Sequence, residues 1–475
     1  MEFDLNKKQC CYFRQISDIP RGSANEKAIS DYVASFAKEH GYNYIQDEVN
    51  NIIVYKPAAA GYEDSEPLIL QAHMDMVCEK NKDVEHDFEK DPLDLYVEDG
   101  LLKARGTTLG ADDGFGVAYM LALLDDKDLK APALECCFTV MEEIGLCGAV
   151  RLKKEYFHSH RYINLDSGGE TRTSVSSAGS ARAVISKALN FEANDQPAYT
   201  LQVRGLKGGH SGGCINLERG NSILLAARIM NECALEDLRL VDFNGGLKFN
   251  AIPREADLTF TSSLPYEQLT EKIETVTSRI AEELRYSDEG FRAKLVTADK
   301  AAEALSPACS RQILDFLYVM PNGFRHRSMV IEGLTVASLS AGVIFIEDGK
   351  LIIDDLIRAA ADSHIDQMIR EMQICGKAFG FEVAISDRYS GWNYDKDSKL
   401  REILRQVLKE KGIEMEERAT HGGLECSIFK GLIKDLDIVT YGPIATGEHT
   451  PEETMDLASF DRAYDNLKEV LKRCK

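Results

Sequence analysis

The stretch Gly106-Thr-Thr-Leu-Gly-Ala-Asp-Asp-Gly-Phe-Gly116 sets two adjacent carboxylates inside a glycine-rich turn. An apolar run from Phe115 to Leu124 follows it and predicts a helix. Two neighbouring carboxylates repel each other unless a cation or a proton relieves them. Glycines on both sides let the backbone bend tightly and approach a ligand. The stretch therefore points to a pair of metal ions bridged by Asp112, with the remaining ligands supplied from elsewhere in the chain.

Those ligands are sought where short apolar runs end in ligand-type side chains. Pro67-Leu-Ile-Leu-Gln-Ala-His-Met-Asp75 reads as a buried strand over Leu68 to Ala72 that ends in His73 and Asp75. Extended geometry puts those two side chains on one face, where a carboxylate can fix the imidazole tautomer. Leu134-Glu-Cys-Cys-Phe-Thr-Val-Met141 ends in Glu142-Glu143, which face different ways and can hold different jobs, one as ligand and one as base. Arg161-Tyr-Ile-Asn-Leu-Asp166 ends in an acid, and Asp437 to Tyr441 precedes a loop carrying His449. In open α/β sheets, ligands collect beyond the carboxyl ends of the strands.

The 475 residues exceed what one core usually supports, so two domains are expected. No apolar run is long enough to span a membrane, and the N-terminus lacks a signal-peptide pattern, so the expected location is cytoplasmic. A net charge of -22 argues against nucleic acid or an anionic membrane as partner. The twelve cysteines show no C-x-x-C spacing, and Cys136 and Cys137, inside an apolar run, read as buried free thiols. His40, His86, His158, His160, His326 and His364 read as surface or capping residues, and Trp392 as packing.

Ser23 to Ala37 has helical periodicity, with Ser23 and Glu26 in a capping-box pattern. Val49 to Tyr55 reads as a strand. Strands and helices alternate differently between about Ala181 and Asp387, as in two copies of a small α+β unit. In that segment Thr335 to Leu339 and Val343 to Ile346 read as separate strands. The segment looks like an insertion, which gives a first domain of residues 1–180 and 388–475 around a second of 181–387.

Taken together, the chain resembles the M20 metallopeptidases, and within them the bacterial aminoacyl-histidine dipeptidases. The marks are Gln71-Ala-His-Met-Asp-Met-Val77, Lys103-Ala-Arg-Gly-Thr-Thr-Leu-Gly-Ala-Asp-Asp-Gly114, Gly205-Leu-Lys-Gly-Gly-His-Ser-Gly-Gly213, Asp242-Phe-Asn-Gly-Gly246, Asn250-Ala-Ile-Pro-Arg-Glu-Ala256 and His421-Gly-Gly-Leu-Glu-Cys426. The resemblance implies an α/β fold: a zinc-exopeptidase-like catalytic domain with an inserted α+β lid, a doubled ferredoxin-like unit. It implies one metal on His73, Asp112 and Asp166 and another on Asp112, Glu143 and His449, with zinc expected and cobalt or manganese as alternatives. Glu142 is then the general base, Asp75 orients His73, and the Asp112–Asp113 peptide is cis. His210, Asn250, Arg358 and Gly423 match substrate-binding positions, with His210 at the oxyanion and Asn250 and Arg358 at the substrate carboxylate.

The expected reaction is hydrolysis of short peptides, Xaa-His dipeptides foremost. Other hydrolases of the family, such as tripeptidases and aminoacylases, and a catalytically silent metal-binding protein are the rival readings. The doubled lid can replace the lid pairing that other members obtain by dimerising, so monomer and homodimer both stay open. Val336-Ala-Ser-Leu-Ser340 departs from the family's Glu-Thr-Ser-Leu-Asn, where side-chain preference can be set.

Overall fold

The computed structural model describes residues 3–475. The chain separates into two compact units. The first runs through Ser176 and resumes over Trp392–Ala419 and Leu424–Lys475; the second comprises Ser177–Gly391 with Thr420–Gly423.

Among the described residues, six strands form the sheet of the first unit, in the order Asn43–Gln46, Ile52–Lys56, Leu134–Thr139, Leu68–His73, Arg161–Asn164, Asp437–Thr440. The last four are mutually parallel, and the first two are antiparallel additions at one edge. Leu68–His73 and Leu134–Thr139 are buried at every position, as parallel strands covered on both faces must be. One face, carrying Leu68, Leu70, Ala72, Cys136 and Phe138, joins a core with helices Lys8–Ser17, Lys27–Glu39, Ala111–Asp125 and Leu457–Arg473. On the other, Tyr162 lies 4.6 Å, centroid to centroid, from Phe429 of helix Glu425–Leu432. Every residue from Phe115 to Leu124 is buried, so this helix is apolar all round because it is enclosed all round. Cys136 and Cys137 are buried free thiols, and Trp392 is 3% exposed in packing.

The capping box at Ser23 and Glu26 does not form. The helix begins at Lys27, and no side chain caps its start. Ser23 instead donates to Asp75 Oδ2 at 2.8 Å, and Glu26 Oε1 accepts from the Met141 N–H at 2.9 Å. Both polar groups find stronger partners across the fold than on their own helix.

The second unit carries an antiparallel sheet in the order Arg292–Thr297, Ala198–Arg204, Ala256–Thr261, Arg239–Gly245, Thr335–Glu347, Lys350–Ala359, Gly179–Ala188, Glu382–Tyr389. The first four, with helices Ser222–Glu232 and Tyr266–Glu283, make one βαββαβ unit whose strands lie in the order 4-1-3-2. The last four, with helices Pro307–Val319 and Asp362–Ala378, make a mirror series, 2-3-1-4, in which Gly179–Ala188 is the first strand. The second copy is therefore split around the first, and the two join where Gly245 pairs with Ile344. The expected break between Thr335–Leu339 and Val343–Ile346 is a bulge within one strand, Thr335–Glu347. Gly342 sits at that bulge because a Cβ there would lie 2.5–2.7 Å from the Phe249 backbone.

Asp355 is fully buried in this sheet, and neither carboxyl oxygen has a hydrogen-bond partner. Burial, and then the Asp354 charge, push its pKa up to about 8. A raised acid destabilises the fold: the unfolded chain ionises near pH 4 while the folded one holds its proton. The loss is absent below about pH 4, grows through pH 8, and reaches about 4 kcal/mol at pH 7. We expect Asp355→Asn to raise the melting temperature at pH 7–8 and to match the parent near pH 4. Melting curves across that range check this; an offset independent of pH would mean that Asp355 does not titrate in the fold.

Candidate active site

Three of the parallel strands deliver side chains to the same end of their sheet. His73 is the last residue of its strand, Glu142 and Glu143 follow Thr139 by three and four residues, and Asp166 follows Asn164 by two. The fourth contribution comes from a hairpin. Ala445–Thr446 and Thr454–Asp456 pair antiparallel, and the latter pairs with Leu101–Ala104, the strand that leads into the Gly106 turn. This ladder carries His449, at a left-handed φ of 64°, to Asp112.

Asp112 lies between two imidazoles. His73 Nε2 is 3.0 Å from Oδ1 and His449 Nε2 is 3.2 Å from Oδ2. His449 Nε2 is also 3.0 Å from Glu143 Oε1, a buried oxygen with no hydrogen bond of good geometry. The Asp112–Asp113 peptide is cis, as the sequence resemblance implies. Three groups bring ligand atoms within 4.8 Å of one another: Asp112 with Glu143 and His449, His73 with Glu142 and Glu143, and His73 with Asp113 and Asp166. Imidazole nitrogens and carboxylate oxygens at such spacing are the donor set that zinc takes, so the residues present fit a divalent ion.

Asp113 was not among the expected ligands. Its two oxygens accept the backbone N–H groups of His73, at 3.3 Å, and Gly116, at 3.1 Å. Burial holds its carboxyl well above the usual range. Asp112 goes the other way: burial opposes ionisation, but hydrogen bonds to His449 and His73 outweigh it and hold the carboxyl well below that range. The vicinal pair thus divides into one member facing the imidazoles and one built into the backbone.

Asp75 does more than face His73. Its Oδ1 lies 3.4 Å from His73 Nδ1, and its carbonyl oxygen lies closer, at 3.1 Å. An acceptor at Nδ1 places the proton there and leaves Nε2 free as a ligand. The Asp75 carboxylate also accepts the N–H groups of Glu142, at 3.0 Å, and Glu143, at 3.2 Å. Met141, at a left-handed φ of 54°, turns the chain there. One carboxylate therefore positions both the imidazole and the glutamate pair.

Two buried charges that sequence reasoning missed hold the Asp112 turn. Glu453 accepts four backbone N–H groups, from Leu109, Gly110 and Ala111 at 2.8 Å and from Asp112 at 3.2 Å. Arg21, 2% exposed, donates to the carbonyls of Met74, Asp75 and Gly110. Gly110, at φ +64°, admits no side chain, since a Cβ would lie 2.5 Å from Arg21 Nη2. Glu453 stands four residues after His449, and that proximity was the available signal.

In the second unit, the Gly209–His210 and Ala251–Ile252 strands pair, which places Asn250 next to the His210 ladder; Ser211 N–H donates to the Asn250 carbonyl at 3.0 Å. Arg358 Nη2 lies 3.4 Å from His210 Nε2. Gly423 closes the four-residue segment Thr420–Gly423 of this unit. His421, given no role from sequence, is buried there with Nε2 2.7 Å from Ser338 Oγ.

Residues 69–473 match peptidase family M20/M25/M40. The chain belongs to that family. It is 36% identical over 471 residues to a cytosol non-specific dipeptidase of Escherichia coli, spanning 97% of this chain and 96% of that one. The crystal structure of an aminoacylhistidine dipeptidase from Vibrio alginolyticus superposes with a TM-score of 0.89 at 33% identity, covering 98% of this chain and 96% of the other. An aminopeptidase from Bacillus cereus, 14% identical with a TM-score of 0.58 and full coverage of both chains, shares the fold. The M20 chain is accordingly a peptidase, and so a hydrolase, of mixed α/β fold. No helix among the described residues is long and apolar enough to cross a membrane.

Proposed function

We propose that this M20 peptidase is a cytosolic di-metal dipeptidase that cleaves short peptides and accepts Xaa-His dipeptides readily. The observation that carries the reading is Asp112 held between His73 and His449, with Glu143 on the same imidazole. In this assignment His73, Asp112 and Asp166 would hold one ion and Asp112, Glu143 and His449 the other, zinc being the natural fit. Bound there, the ions would supply Lewis acidity to a peptide carbonyl and bring the pKa of water toward about 7.

The remaining chemistry belongs to side chains. Glu142 takes a proton from the attacking water and passes it to the leaving amine. Asp75 keeps His73 in one tautomer and fixes the Glu142 backbone. His210 Nδ1 accepts the N–H groups of Gly212 and Gly213, so a neutral ring carries its proton on Nε2, ready to donate to an oxyanion. Asn250, Arg358 and Gly423 receive the C-terminal residue, Arg358 because its planar fork suits a carboxylate. By this division, residues 1–180 and 388–475, apart from the Thr420–Gly423 segment, form the catalytic domain, and 181–387 together with that segment form the lid.

The names of the two relatives differ on breadth, one non-specific and one aminoacylhistidine, and this sets the test. Zinc-loaded protein is assayed on Gly-His, Ala-Leu, carnosine, triglycine and an N-acetyl amino acid. We expect kcat/KM on the two α-dipeptides to exceed that on the tripeptide and the acyl amino acid by about 100-fold, since each misplaced charge or unpaired polar group costs roughly 2–3 kcal/mol. Preference for the tripeptide or the acyl amino acid would overturn the dipeptidase reading. Equal rates on Gly-His and Ala-Leu would leave a dipeptidase with no histidine preference.

A further inference from the structure

Ser338 and Arg358 stand directly opposite each other on paired antiparallel strands, so their side chains share one face of the sheet. Around that face five side chains gather. Arg358 is 6% exposed, and among the described residues no carboxylate forms an ion pair with it. Its Nη2 approaches His210 Nε2, its Nε is buried without a partner, and Tyr389 lies beside it. Ser338 contacts His421 Nε2. The absent Cβ of Gly212 would touch the His421 carbonyl at 2.7 Å and His210 Cε1 at 3.1 Å, which places both histidines against that one glycine.

The proton positions follow from the partners. His210 Nδ1 accepts two backbone N–H groups, so Nε2 is a donor and cannot bond the Arg358 N–H it faces. Two donors at 3.4 Å with no acceptor between them converge on something the protein does not provide. The Ser338 hydroxyl has His421 Nε2 as its hydrogen-bond partner, so it donates there and the imidazole proton sits on Nδ1. That Nδ1 is buried with no acceptor in the protein. Burial, with the Arg358 charge added, pushes the ring pKa down to about 3, so His421 is a neutral donor. A buried guanidinium and buried N–H groups without acceptors are costly to leave unmatched.

We propose that His421, oriented by Ser338, is a specificity-determining residue whose Nδ1–H donates to the C-terminal carboxylate gripped by Arg358. This rests on the dipeptidase reading and adds to it a neutral reader of the carboxylate beside the cationic one. The role accounts for both orphaned nitrogens at once. It also gives the segment Thr420–Gly423 a reason to pack in this unit, where the Ala178 N–H donates to the Gly422 carbonyl at 2.9 Å.

The test compares Gly-His with its C-terminal amide on zinc-loaded full-length protein, alongside calorimetric binding of histidine and histidinamide. His421→Ala and His421→Gln should raise KM for Gly-His about tenfold or more and leave kcat within about twofold, the loss of one hydrogen bond to a charged group. KM for the amide should not move. His421→Asn, whose amide nitrogen occupies the Nδ1 position, should retain most of the affinity, and Ser338→Ala should fall between. Calorimetry should show the same pattern, with His421→Ala losing the preference for histidine over histidinamide. Equal KM changes on acid and amide, a loss confined to kcat, or Gln outperforming Asn would overturn the assignment. If the parent cleaves no dipeptide, the dipeptidase reading fails, and the calorimetric pair alone decides His421: no carboxylate preference in the parent, or none lost in the variant, overturns it.

Discussion

Replacing Glu142 by glutamine should cut turnover on dipeptides by about 1,000-fold while both metal equivalents stay bound. The reason lies in where the side chain is held. Asp75 clamps the backbone N–H groups of Glu142 and Glu143, and Met141 supplies the left-handed turn just before them. Glu143 goes to His449, at 3.0 Å. Glu142 is left out of that ion pair. Burial above all, with the nearby Glu425, Glu143 and Asp112 charges, pushes its carboxyl up to about 8. A nearby cation would draw that value down, toward the neutral range where a general base works best. Glutamine keeps the shape and the hydrogen-bond reach but cannot carry a proton from water to amine. Stopped-flow or steady-state turnover on Gly-His, paired with elemental analysis of the same sample, makes the measurement. Turnover near the parental rate with metal retained would remove Glu142 from the mechanism; metal loss instead would make it a ligand, as its grouping with His73 and Glu143 allows.

The strand ends were legible in sequence because parallel strands are apolar along their length, and a His or Glu closing such a run stands out. The turn at Asp112 was legible for the opposite reason, since charge so dense in a glycine-rich apolar setting needs a partner. What escaped was held by contacts between residues far apart in the chain. Ser23 and Glu26 satisfy every local rule for a helix cap, yet Asp75 and the Met141 N–H compete for them and win. Arg21 and Glu453 look like ordinary surface charges in sequence; only the fold shows that each neutralises backbone dipoles around the Asp112 turn. The doubled unit was visible as a repeat, but not its nesting. The strand Gly179–Ala188, which completes the second copy, lies before the first copy and carries no mark of the partners it will find. The bulge at Gly342 likewise looked like a break, because a glycine between two apolar runs reads as a turn unless the close approach of the Phe249 backbone is known.

Asp112→Ala should release both ions together and abolish hydrolysis, with loss of at least about 10,000-fold in kcat/KM, since the chemistry then lacks both the Lewis acid and the activated water. A ligand to one ion alone would act differently: His449→Ala should spare the ion on His73 and Asp166, and Asp166→Ala the ion on Glu143 and His449. The distinction rests on Asp112 meeting both imidazoles at hydrogen-bond distance, one on each oxygen. Removing it also leaves His73 and His449, both raised by that carboxylate, with weaker reasons to stay in place; His449 stands at about 9, with the Asp112 hydrogen bond as the first cause. The pKa of His449 should therefore fall in the metal-free variant, a shift that NMR titration of the imidazole can follow without any turnover. Asp113 offers a contrast at the next position. Its carboxyl is bonded to backbone N–H groups, so Asp113→Asn should keep metal and most activity. Full metal occupancy in Asp112→Ala, or equal metal loss in Asp113→Asn, would mean that the two aspartates have been assigned the wrong way round. One metal equivalent remaining in Asp112→Ala would mean that the carboxylate serves a single ion, and the two sites would have to be separated.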